Sequence, residues 1–235
     1  MIGKKILRFN NIESTNTFIR NNINKLDHGD MVVAKTQSKG KGRLGNTWLS
    51  EEGNLYFSFL LKEDLRRSEI FSIIMKCSVS IIEILNKYNV EAEIKYPNDI
   101  VVKKQKISGI LIESIGYNDI NNLIVGIGIN INQNTFKNIS IVATSIYKET
   151  KKITNLDTLL NDFIEKYNSY IDINDLYKKY IDKSVIIGEN VAFNNANYKV
   201  KTILKNGNIL LINKENIERN VTYGNISLKE YYHKK

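Results

Sequence analysis

Residues 91–131 read EAEIKYPNDIVVKKQKISGILIESIGYNDINNLIVGIGINI, and apolar, strand-like segments fill most of this region. The turn-forming Pro97-Asn98-Asp99 and the lysine-rich residues 103–106 separate the first three of these segments. Short polar turns between apolar runs favour antiparallel neighbours. We therefore expect adjacent strands at Glu91–Tyr96, Ile100–Lys103, Ile107–Ser114 and Leu123–Ile131.

Further strands and helices are predicted around this centre. Apolar residues recur at helical spacing between Ile70 and Tyr88, which is the longest such pattern in the chain. Ser14-Thr15-Asn16 is expected to cap an earlier helix that runs to about Lys25. The expected fold class is α+β, with a mixed β-sheet flanked by helices. The other predicted segments are strands at Lys5–Phe9, Met31–Lys35 and Leu55–Leu61 and helices at Leu156–Ile171 and Ile173–Ile181.

After Asp182 the sequence changes to short alternating segments, and Asn206-Gly207 between two of them is a strong hairpin signal. We predict a larger domain over residues 1–182 and a small C-terminal β-barrel over residues 183–235. The barrel should pack against the larger domain, because about 50 residues bury too little surface to be stable alone. Its strands are expected at Val185–Ile187, Val191–Phe193, Tyr198–Leu204, Ile209–Ile212 and Ile217–Thr222.

The composition is that of a soluble globular protein with a surplus of positive charge. The single cysteine, Cys77, excludes an intramolecular disulfide and fits a reducing, cytoplasmic location. No apolar run approaches the roughly 18 residues of a membrane span. The net charge is +9, but lysines scattered along the chain supply much of it. Charge alone therefore does not establish a nucleic-acid partner.

Residues 35–48, KTQSKGKGRLGNTW, carry the clearest sign of a ligand. Glycine lets a backbone approach a ligand closely, and lysine and arginine donate hydrogen bonds to phosphate. The segment is not a P-loop, because it lacks the GxxxxGK[ST] pattern between strand and helix. It is not a GxGxxG dinucleotide turn either, because Trp48 and the apolar run from Leu55 predict a following strand. We predict a mobile loop that closes over a phosphorylated ligand, and a solvated basic loop without a ligand is the alternative. Its glycines and cations, with no acidic residue among them, are Gly40, Gly42, Gly45, Lys39, Lys41 and Arg43.

Several motifs occur in a defined order along the chain. They are ESTN at 13–16, the glycine-rich loop ending at Trp48, KYPND at 95–99 with KISGILIE at 106–113, and GIGIN at 126–130. In this order they resemble biotin–protein ligase (biotin–[acetyl-CoA-carboxylase] ligase), and GNISL at 224–228 is similar to the family's closing GEISL. The resemblance covers nearly the whole chain. It implies a catalytic domain similar to class II aminoacyl-tRNA synthetases, followed by a β-barrel of the Src-homology-3-like type.

The resemblance implies a two-step, ATP-dependent reaction. Biotin and ATP, with Mg²⁺ on the phosphates and no metal-binding protein motif, first give biotinyl-5′-AMP and pyrophosphate. A specific lysine of a biotin carboxyl carrier protein or domain then attacks this mixed anhydride and releases AMP. The first step brings an anionic carboxylate against an anionic phosphate, so cationic neutralisation and alignment should carry most of the catalysis.

The family pattern also assigns roles to individual residues. Lys95 and Arg43 are the expected catalytic residues, although an isolated Lys95 would also suit a protein surface. Ser14 could be an ordinary helix cap, and Trp48 could be a core anchor instead of a cover for adenine. The expected biotin contacts are Ser14, Thr15, Asn16, Gln37, Lys41, Gly42, Arg43 and Lys95. The expected ATP or adenylate contacts are Gly40, Lys41, Arg43, Trp48, Asn98 and Asn130.

The chain departs from the family pattern in ways that make the loop less cationic. Lys41 replaces the usual arginine and so loses the planar fork of donors. Leu44 and Asn46 stand where further basic residues are common. Tyr96 replaces the usual tryptophan, and Ser108 the usual alanine. These departures leave adenylate affinity in question more than activity.

Two other functions compete with biotin ligation. Lipoate–protein ligase shares the fold, but its pattern has a triple-glycine segment and a following histidine-aspartate pair, which Gly40–Gly45 lacks. A basic nucleic-acid-binding protein would need aromatics clustered among cations, whereas Val185–Thr222 offers only Phe193 and Tyr198. Residues ahead of the ESTN motif leave no room for a helix-turn-helix, so DNA binding by that route is not expected. A homodimer formed through an exposed sheet edge is left open.

Overall fold

The computed structural model describes residues 1–65, 69–115, 120–136, 141–194 and 196–222. A seven-stranded mixed sheet forms its centre, with strand order β1-β2-β3-β7-β6-β5-β4. The first two strands pair in parallel, and the other neighbours pair antiparallel. The strands are β1 Ile6–Ile12, β2 Met31–Gln37, β3 Leu55–Leu65, β4 Glu93–Lys95, β5 Asp99–Val102, β6 Gln105–Ile115 and β7 Ile120–Ile129.

Helices cover both faces of this sheet, which confirms the predicted α+β class. Alternate residues of a strand point to opposite faces, and this alternation sorts the sheet into two apolar clusters. On one face Phe57 and Val125 belong to the main core, together with the long helix α2. On the other face Leu60 and Ile124 pack with Ile19 of α1. The helices are α1 Thr15–Asn21, α2 Ile70–Lys87, α3 Ile146–Thr150, α4 Leu156–Ser169 and α5 Ile173–Asp182, with short 3₁₀ turns at Ile23–Lys25 and Arg43–Gly45.

The C-terminal part contains a four-stranded antiparallel sheet of order β11-β10-β9-β8. Over the described residues this sheet is open, so a closed barrel is not confirmed, and the GNISL motif at 224–228 lies outside the described residues. The predicted strand at Val185–Ile187 is wrong. These residues form a turn after Ser184, which bridges to Ile94 of the main sheet. The strands are β8 Asn190–Phe193, β9 Ala196–Ile203, β10 Ile209–Ile212 and β11 Glu218–Val221.

The start of α1 differs from the prediction. Ser14 occupies the N-cap position with extended backbone angles, but its side chain makes no cap hydrogen bond. Instead, the Thr15 backbone N–H donates to Gln37 Oε1 over 2.8 Å. A glutamine brought in by β2 therefore satisfies the first N–H of the helix, while the side chain of the N-cap serine bonds none of the N–H groups that follow it.

None of the helices in the described part of the chain combines the length and the apolar character that crossing a bilayer would require.

Candidate functional site

The predicted site residues lie on the α1 face of the central sheet. Along β7, Ile124 packs under α1, and Gly126 and Gly128 follow on the same face because the side-chain period of a strand is two residues. Gly126 pairs with Ser58 of β3, and Gly128 pairs with Gly109 of β6. Beyond α1 the three glycines leave one part of this face without side chains, and Tyr56 and Leu111, which pair with Gly128 and Gly126, lie beside it. Other elements of the site lie against this bare glycine surface.

A buried polar cluster joins the start of α1 to β2 and β3. The Thr15 hydroxyl lies 3.1 Å from Gln37 Oε1, and the Ser58 hydroxyl lies 2.6 Å from Thr15 Oγ1. Ser58 Oγ also contacts Asn16 Oδ1. Ser14, Thr15, Asn16 and Ser58 are all almost completely buried. The structure thus brings the predicted biotin-contacting residues of the ESTN motif together with Gln37.

Gln37 also connects this cluster to the glycine-rich loop. Its Nε2 donates to Ser50 Oγ over 2.8 Å, and Ser50 Oγ in turn donates to the Trp48 carbonyl. A Cβ at Gly40 would lie only 2.3 Å from the Trp48 carbonyl oxygen, so only glycine allows the two arms of the loop to approach this closely. The loop is therefore a small hairpin fastened at its base to the polar cluster.

The tip of the loop carries Arg43, Leu44 and Gly45. The Gly42 N–H donates to the Asn46 carbonyl over 2.7 Å, which closes the turn. Leu44 adopts a left-handed backbone conformation, with φ 54°, and its side chain is 89% exposed. Lys41, which precedes the tip, is exposed. Of the cations at 39, 41 and 43, Arg43 is the one that the fold directs back towards the sheet.

Trp48 lies across the bare glycine surface. A Cβ at Gly128 would come within 2.5 Å of the indole, and one at Gly109 within 2.8 Å. The Lys106 ammonium sits 5.1 Å from the centroid of the ring, a distance at which a cation is attracted to an aromatic face. The buried Trp48 Nε1 finds no hydrogen-bond partner among the described residues. Trp48 thus anchors the loop and retains an unused donor.

A cluster of cations surrounds Asp99 beside this ring. The Lys106 ammonium forms a 2.7 Å ion pair with Asp99, and Lys95 lies 3.9 Å from the other carboxylate oxygen. Arg43 donates to Asn98 Oδ1 over 2.7 Å, and Asn98 Nδ2 donates to the Ile110 carbonyl. Cations therefore outnumber the one carboxylate, and this part of the site carries net positive charge.

Lys95 has the most strongly perturbed charge in this cluster. Its side chain is only 10% exposed. Burial is the main reason that its pKa is lowered to about 8, Asp99 acts in the opposite direction, and the nearby Lys106 and Arg43 lower it further. A buried ammonium among other cations is stabilised by an anion that binds beside it.

The hydrogen bonds of Asn130 go to main-chain carbonyls and not to the charged groups of the cation cluster. Its Nδ2 donates to the Thr144 carbonyl over 3.0 Å, and its backbone N–H donates to the Ile107 carbonyl. Asn130 therefore ties the chain after β7 to the segment that leads into α3. This bracing role is structural, and the predicted nucleotide contact of Asn130 stays a prediction.

Comparison with known proteins identifies the family. The model of the biotin/lipoate A/B protein ligase family matches residues 9–130, just over half of the chain. The chain belongs to this family. The matched region begins in β1 and ends at Asn130, so it contains the polar cluster, the glycine-rich loop and the cation cluster described above.

Individual relatives are similar over different parts of the chain. The bifunctional ligase/repressor BirA of Bacillus subtilis is 32% identical over 158 residues, which are 63% of this chain and 49% of that protein. BirA of Escherichia coli is 32% identical over 122 residues, 51% of this chain and 38% of that protein. The chain thus spans about half, or less, of the length of these relatives.

A solved ligase structure is similar over nearly the whole chain. It is the biotin protein ligase from Aquifex aeolicus in complex with biotin and ATP, with a TM-score of 0.81 and 28% identity. The similarity covers 96% of this chain and 98% of that one. The likeness therefore extends to the open C-terminal sheet as well as to the central sheet.

Sequence reasoning missed several members of this ligase-family site. Lys106 and Glu113 are the two ends of the KISGILIE motif, but the motif alone does not assign them to the site, and Asp99 is predicted only as a turn residue. Ser50 and Ser58 carry no signal of their own, since serine is common in strands and loops. Their contacts depend on strand register, which brings together residues far apart in sequence.

Proposed function

We propose that the chain is a biotin–protein ligase. It activates biotin with ATP to biotinyl-5′-AMP and pyrophosphate, and then transfers biotin to a specific lysine of a biotin carboxyl carrier protein. The observation that carries this proposal is that one loop links two distinct chemical environments. At its base Gln37 joins a neutral polar cluster, and at its tip Arg43 meets the cations around Asp99.

The cation cluster suits the activation step. Biotin carboxylate and ATP α-phosphate repel each other, so the groups that hold them must be positive and already in place. Lys95 supplies a compact ammonium for the carboxylate and the α-phosphate, and Arg43 supplies a planar fork for phosphate oxygens. Arg43 is held by the neutral Asn98. A charged phosphate oxygen competes well with that neutral amide for the guanidinium.

The polar cluster suits the uncharged ring system of biotin. Ser14, Thr15, Asn16 and Gln37 provide neutral donors and acceptors in a buried setting. In such a setting each correctly matched hydrogen bond discriminates strongly between ligands. Trp48 covers the adenine side with its ring, while its buried indole N–H faces the sheet at Gly128.

Magnesium belongs to the nucleotide in this proposal. The described part of the chain holds no group of three or more His, Cys, Asp or Glu side chains that could hold a metal ion. Mg²⁺ is commonly bound by substrate phosphates with only one or two carboxylates. When bound, it would neutralise phosphate charge, and Asp99, which is already paired with Lys106, is the carboxylate nearest the phosphate-binding cations.

We also propose that residues 183–235 form a small barrel of the Src-homology-3-like type beside a synthetase-like domain over residues 1–182. The four-stranded sheet and the similarity to the Aquifex aeolicus structure support this division. The two parts share one continuous apolar core. The barrel would therefore be a companion of the catalytic domain and not an independent unit.

The proposed activity is tested by following labelled biotin from biotin and ATP into a biotin carboxyl carrier domain. Labelled lipoate, offered in parallel with a lipoyl domain, is the control for the second activity of this family. We expect ATP-dependent transfer of biotin only. Transfer of lipoate, or no transfer and no biotin-dependent ATP–pyrophosphate exchange, would contradict the proposal.

A further inference from the structure

The tip of the glycine-rich loop is a tight turn that suits leucine poorly. The Asn46 N–H donates to the Arg43 carbonyl over 3.1 Å, and the two residues between them, Leu44 and Gly45, have φ values of 54° and 77°. A turn with positive φ at both central residues is of type I′, which favours Asn followed by Gly. Gly45 meets this preference, but Leu44 places a bulky side chain on a left-handed backbone. Leucine at this position therefore makes the turn less stable.

The side chain of Leu44 does not offset this strain by packing. It is 89% exposed and belongs to neither of the two apolar clusters that the described residues form on the sheet. An exposed leucine alone is ordinary on a protein surface. An exposed leucine that also strains its backbone is unfavourable in two independent ways. Strained backbone of this kind is concentrated at functional sites, so the combination indicates a role other than folding.

Two further exposed apolar side chains lie next to the site. Leu49 follows Trp48 in the second arm of the loop and is 42% exposed. Val142 is 52% exposed, and its carbonyl accepts a 2.9 Å hydrogen bond from the Lys106 N–H. Leu44, Leu49 and Val142 are called the apolar rim below. Each of them adjoins a residue of the site, either along the chain or across a backbone hydrogen bond.

Biotin and ATP do not account for the apolar rim. Their proposed contacts lie beneath the loop, where Trp48 covers the glycine surface and Arg43 turns back to Asn98. Leu44 is at the outer end of the same loop and faces solvent. Only a partner that approaches from outside can bury it. A partner that covers apolar groups on separate segments of the chain has the size of a protein.

The second step of the proposed reaction requires such a partner. The acceptor lysine must reach the acyl carbon of biotinyl-5′-AMP, which lies between the biotin moiety and the phosphate. The proposed positions of both groups are beneath this loop, so a carrier domain that delivers its lysine comes close to the loop tip. Charge favours a partner with acidic groups, because residues 35–48 contain lysine and arginine without any carboxylate and the chain carries +9 overall.

We infer that Leu44 is a docking residue for the biotin carboxyl carrier domain. Its side chain packs against an apolar group of that domain, and acidic groups beside that contact face the exposed Lys41. The inference rests on the proposed function, because it assigns a partner surface to the second step. Leu44 acts in docking and has no part in the formation of the adenylate.

The test measures the two steps separately in Leu44→Asn. Biotin-dependent ATP–pyrophosphate exchange reports adenylate formation without the carrier, and labelled biotin measures transfer to a biotin carboxyl carrier domain. Asparagine suits this position of the turn, so the thermal midpoint should be equal or higher. We expect exchange within about twofold of wild type. We expect kcat/KM for the carrier domain to fall about tenfold, the order expected when one leucine loses a partly buried contact.

Leu44→Met and Ile171→Asn are the matched controls. Methionine keeps an apolar side chain of similar volume at the tip and should transfer biotin with the kcat/KM of the wild type. Ile171 is 96% exposed between α4 and α5, which pack in the core on the opposite face of the sheet from the loop. Ile171→Asn should therefore also behave as wild type. A comparable fall of kcat/KM in either control overturns the inference.

A second copy of this chain is the other occupant that the test must separate. Sedimentation of the free protein measures its mass in solution, and we expect the same mass for wild type and Leu44→Asn. A mass that is lower in the variant would make the tip a contact between copies and overturn the inference.

The outcomes also separate this inference from the proposed function. A wild-type chain with neither exchange nor transfer contradicts the ligase proposal, and the inference with it. A wild-type chain that catalyses both, with an unchanged kcat/KM for the carrier domain in Leu44→Asn, contradicts only the role of Leu44.

Discussion

At the scale of single residues, Lys95 shows how surroundings change chemistry. An ordinary lysine has a pKa near 10.5, but burial and the neighbouring cations lower that of Lys95 to about 8. Below pH 8 its side chain is a cation, as its proposed contacts with the biotin carboxylate and the α-phosphate require. Above pH 8 it loses that charge. Charge at this position is therefore sensitive to mildly alkaline conditions.

We predict that biotin-dependent ATP–pyrophosphate exchange, measured at subsaturating biotin, falls as the pH rises through about 8. Under these conditions the rate reports ionisations of the free enzyme. Thermal unfolding at each pH shows whether the protein remains folded. If the rate stays constant to about pH 10, where an ordinary lysine titrates, then either the pKa of Lys95 is not lowered or its charge is not required for exchange.

Lys95→Ala is the companion variant. It should reduce exchange at least a hundredfold, about the loss seen when one preorganised electrostatic contact is removed. Its thermal midpoint should be equal or higher, because the wild-type protein carries the cost of a buried ammonium. Wild-type exchange rates in this variant would remove Lys95 from the mechanism.

Arg43→Gly tests the tip of the glycine-rich loop. We predict faster dissociation of biotinyl-5′-AMP, since phosphate charge would lose its planar partner and the loop would lose its 2.7 Å bond to Asn98. Lys39→Gly in the same loop is the charge-matched control, because Lys39 is exposed and pairs with Glu13. Equal dissociation rates in the two variants would show that Arg43 has no special role.

The residue types of the site were predictable from sequence, but several of their contacts were not. The order of the motifs identified Gln37, Arg43 and Lys95. The pairing of Glu113 with Asn16 spans 97 positions and depends on how β6 packs beside α1. Ser14 takes the predicted N-cap position, but its side chain makes no cap hydrogen bond, and the first N–H of the helix is bonded instead by Gln37, which arrives from β2.

At the scale of elements, the two-residue side-chain period of the strands determines which residues face the loop. Gly109 and Gly128 face each other across β6 and β7, and together they make room for one indole ring. A single methyl group on this surface would meet Trp48 at 2.5 Å. The loop is therefore positioned by the absence of side chains on two neighbouring strands.

Gly128→Ala should displace Trp48 and loosen the loop while the strand itself persists, because alanine is tolerated in strands. We predict faster trypsin cleavage after Lys39, Lys41 and Arg43, measured by mass spectrometry of the fragments. Ile127→Val, at the next position but on the core face, is the control, since it removes one buried methylene at a cost of about 1 kcal/mol. Equal cleavage rates in Gly128→Ala and wild type would contradict the close packing.

Most elements could be predicted because their apolar residues alternate or recur every three to four positions. The boundaries moved by a few residues, as at β2, which extends to Gln37 and so delivers the amide to the site. The short helix α3, of five residues, was missed because it is too short to show a period. Val185–Ile187 has the composition of a strand, but the bridge from Ser184 to Ile94 turns the chain there.

At the scale of the whole molecule, the C-terminal sheet supports the KYPND motif from behind. Tyr96 donates a 2.6 Å hydrogen bond to the Gly207 carbonyl in the β9–β10 turn. Gly207 in turn lies against Phe71 of α2, where a Cβ would come within 2.7 Å of the ring. Tyr96 is adjacent to Lys95, so the second sheet contacts the segment that carries the proposed catalytic lysine.

Tyr96→Phe tests this connection. It leaves the buried Gly207 carbonyl without this donor, so we predict a loss of about 1 kcal/mol in the free energy of unfolding. Chemical denaturation measures that change. The adenylation rate of the folded protein should change little. Tyr198→Phe on the partly exposed face of β9 is the control. A Tyr96→Phe protein as stable as wild type would mean that the hydrogen bond does not join the two sheets.

Trp48 is the only tryptophan in the chain. Its ring lies against Lys106, whose ammonium also pairs with Asp99. Any anion that draws Lys106 away from the ring changes the electric field that the indole experiences. Intrinsic fluorescence, excited at the red edge where tyrosine does not absorb, therefore provides an optical signal for occupancy of the cation cluster. The unmodified protein carries its own reporter, placed at the point where the loop meets the charges.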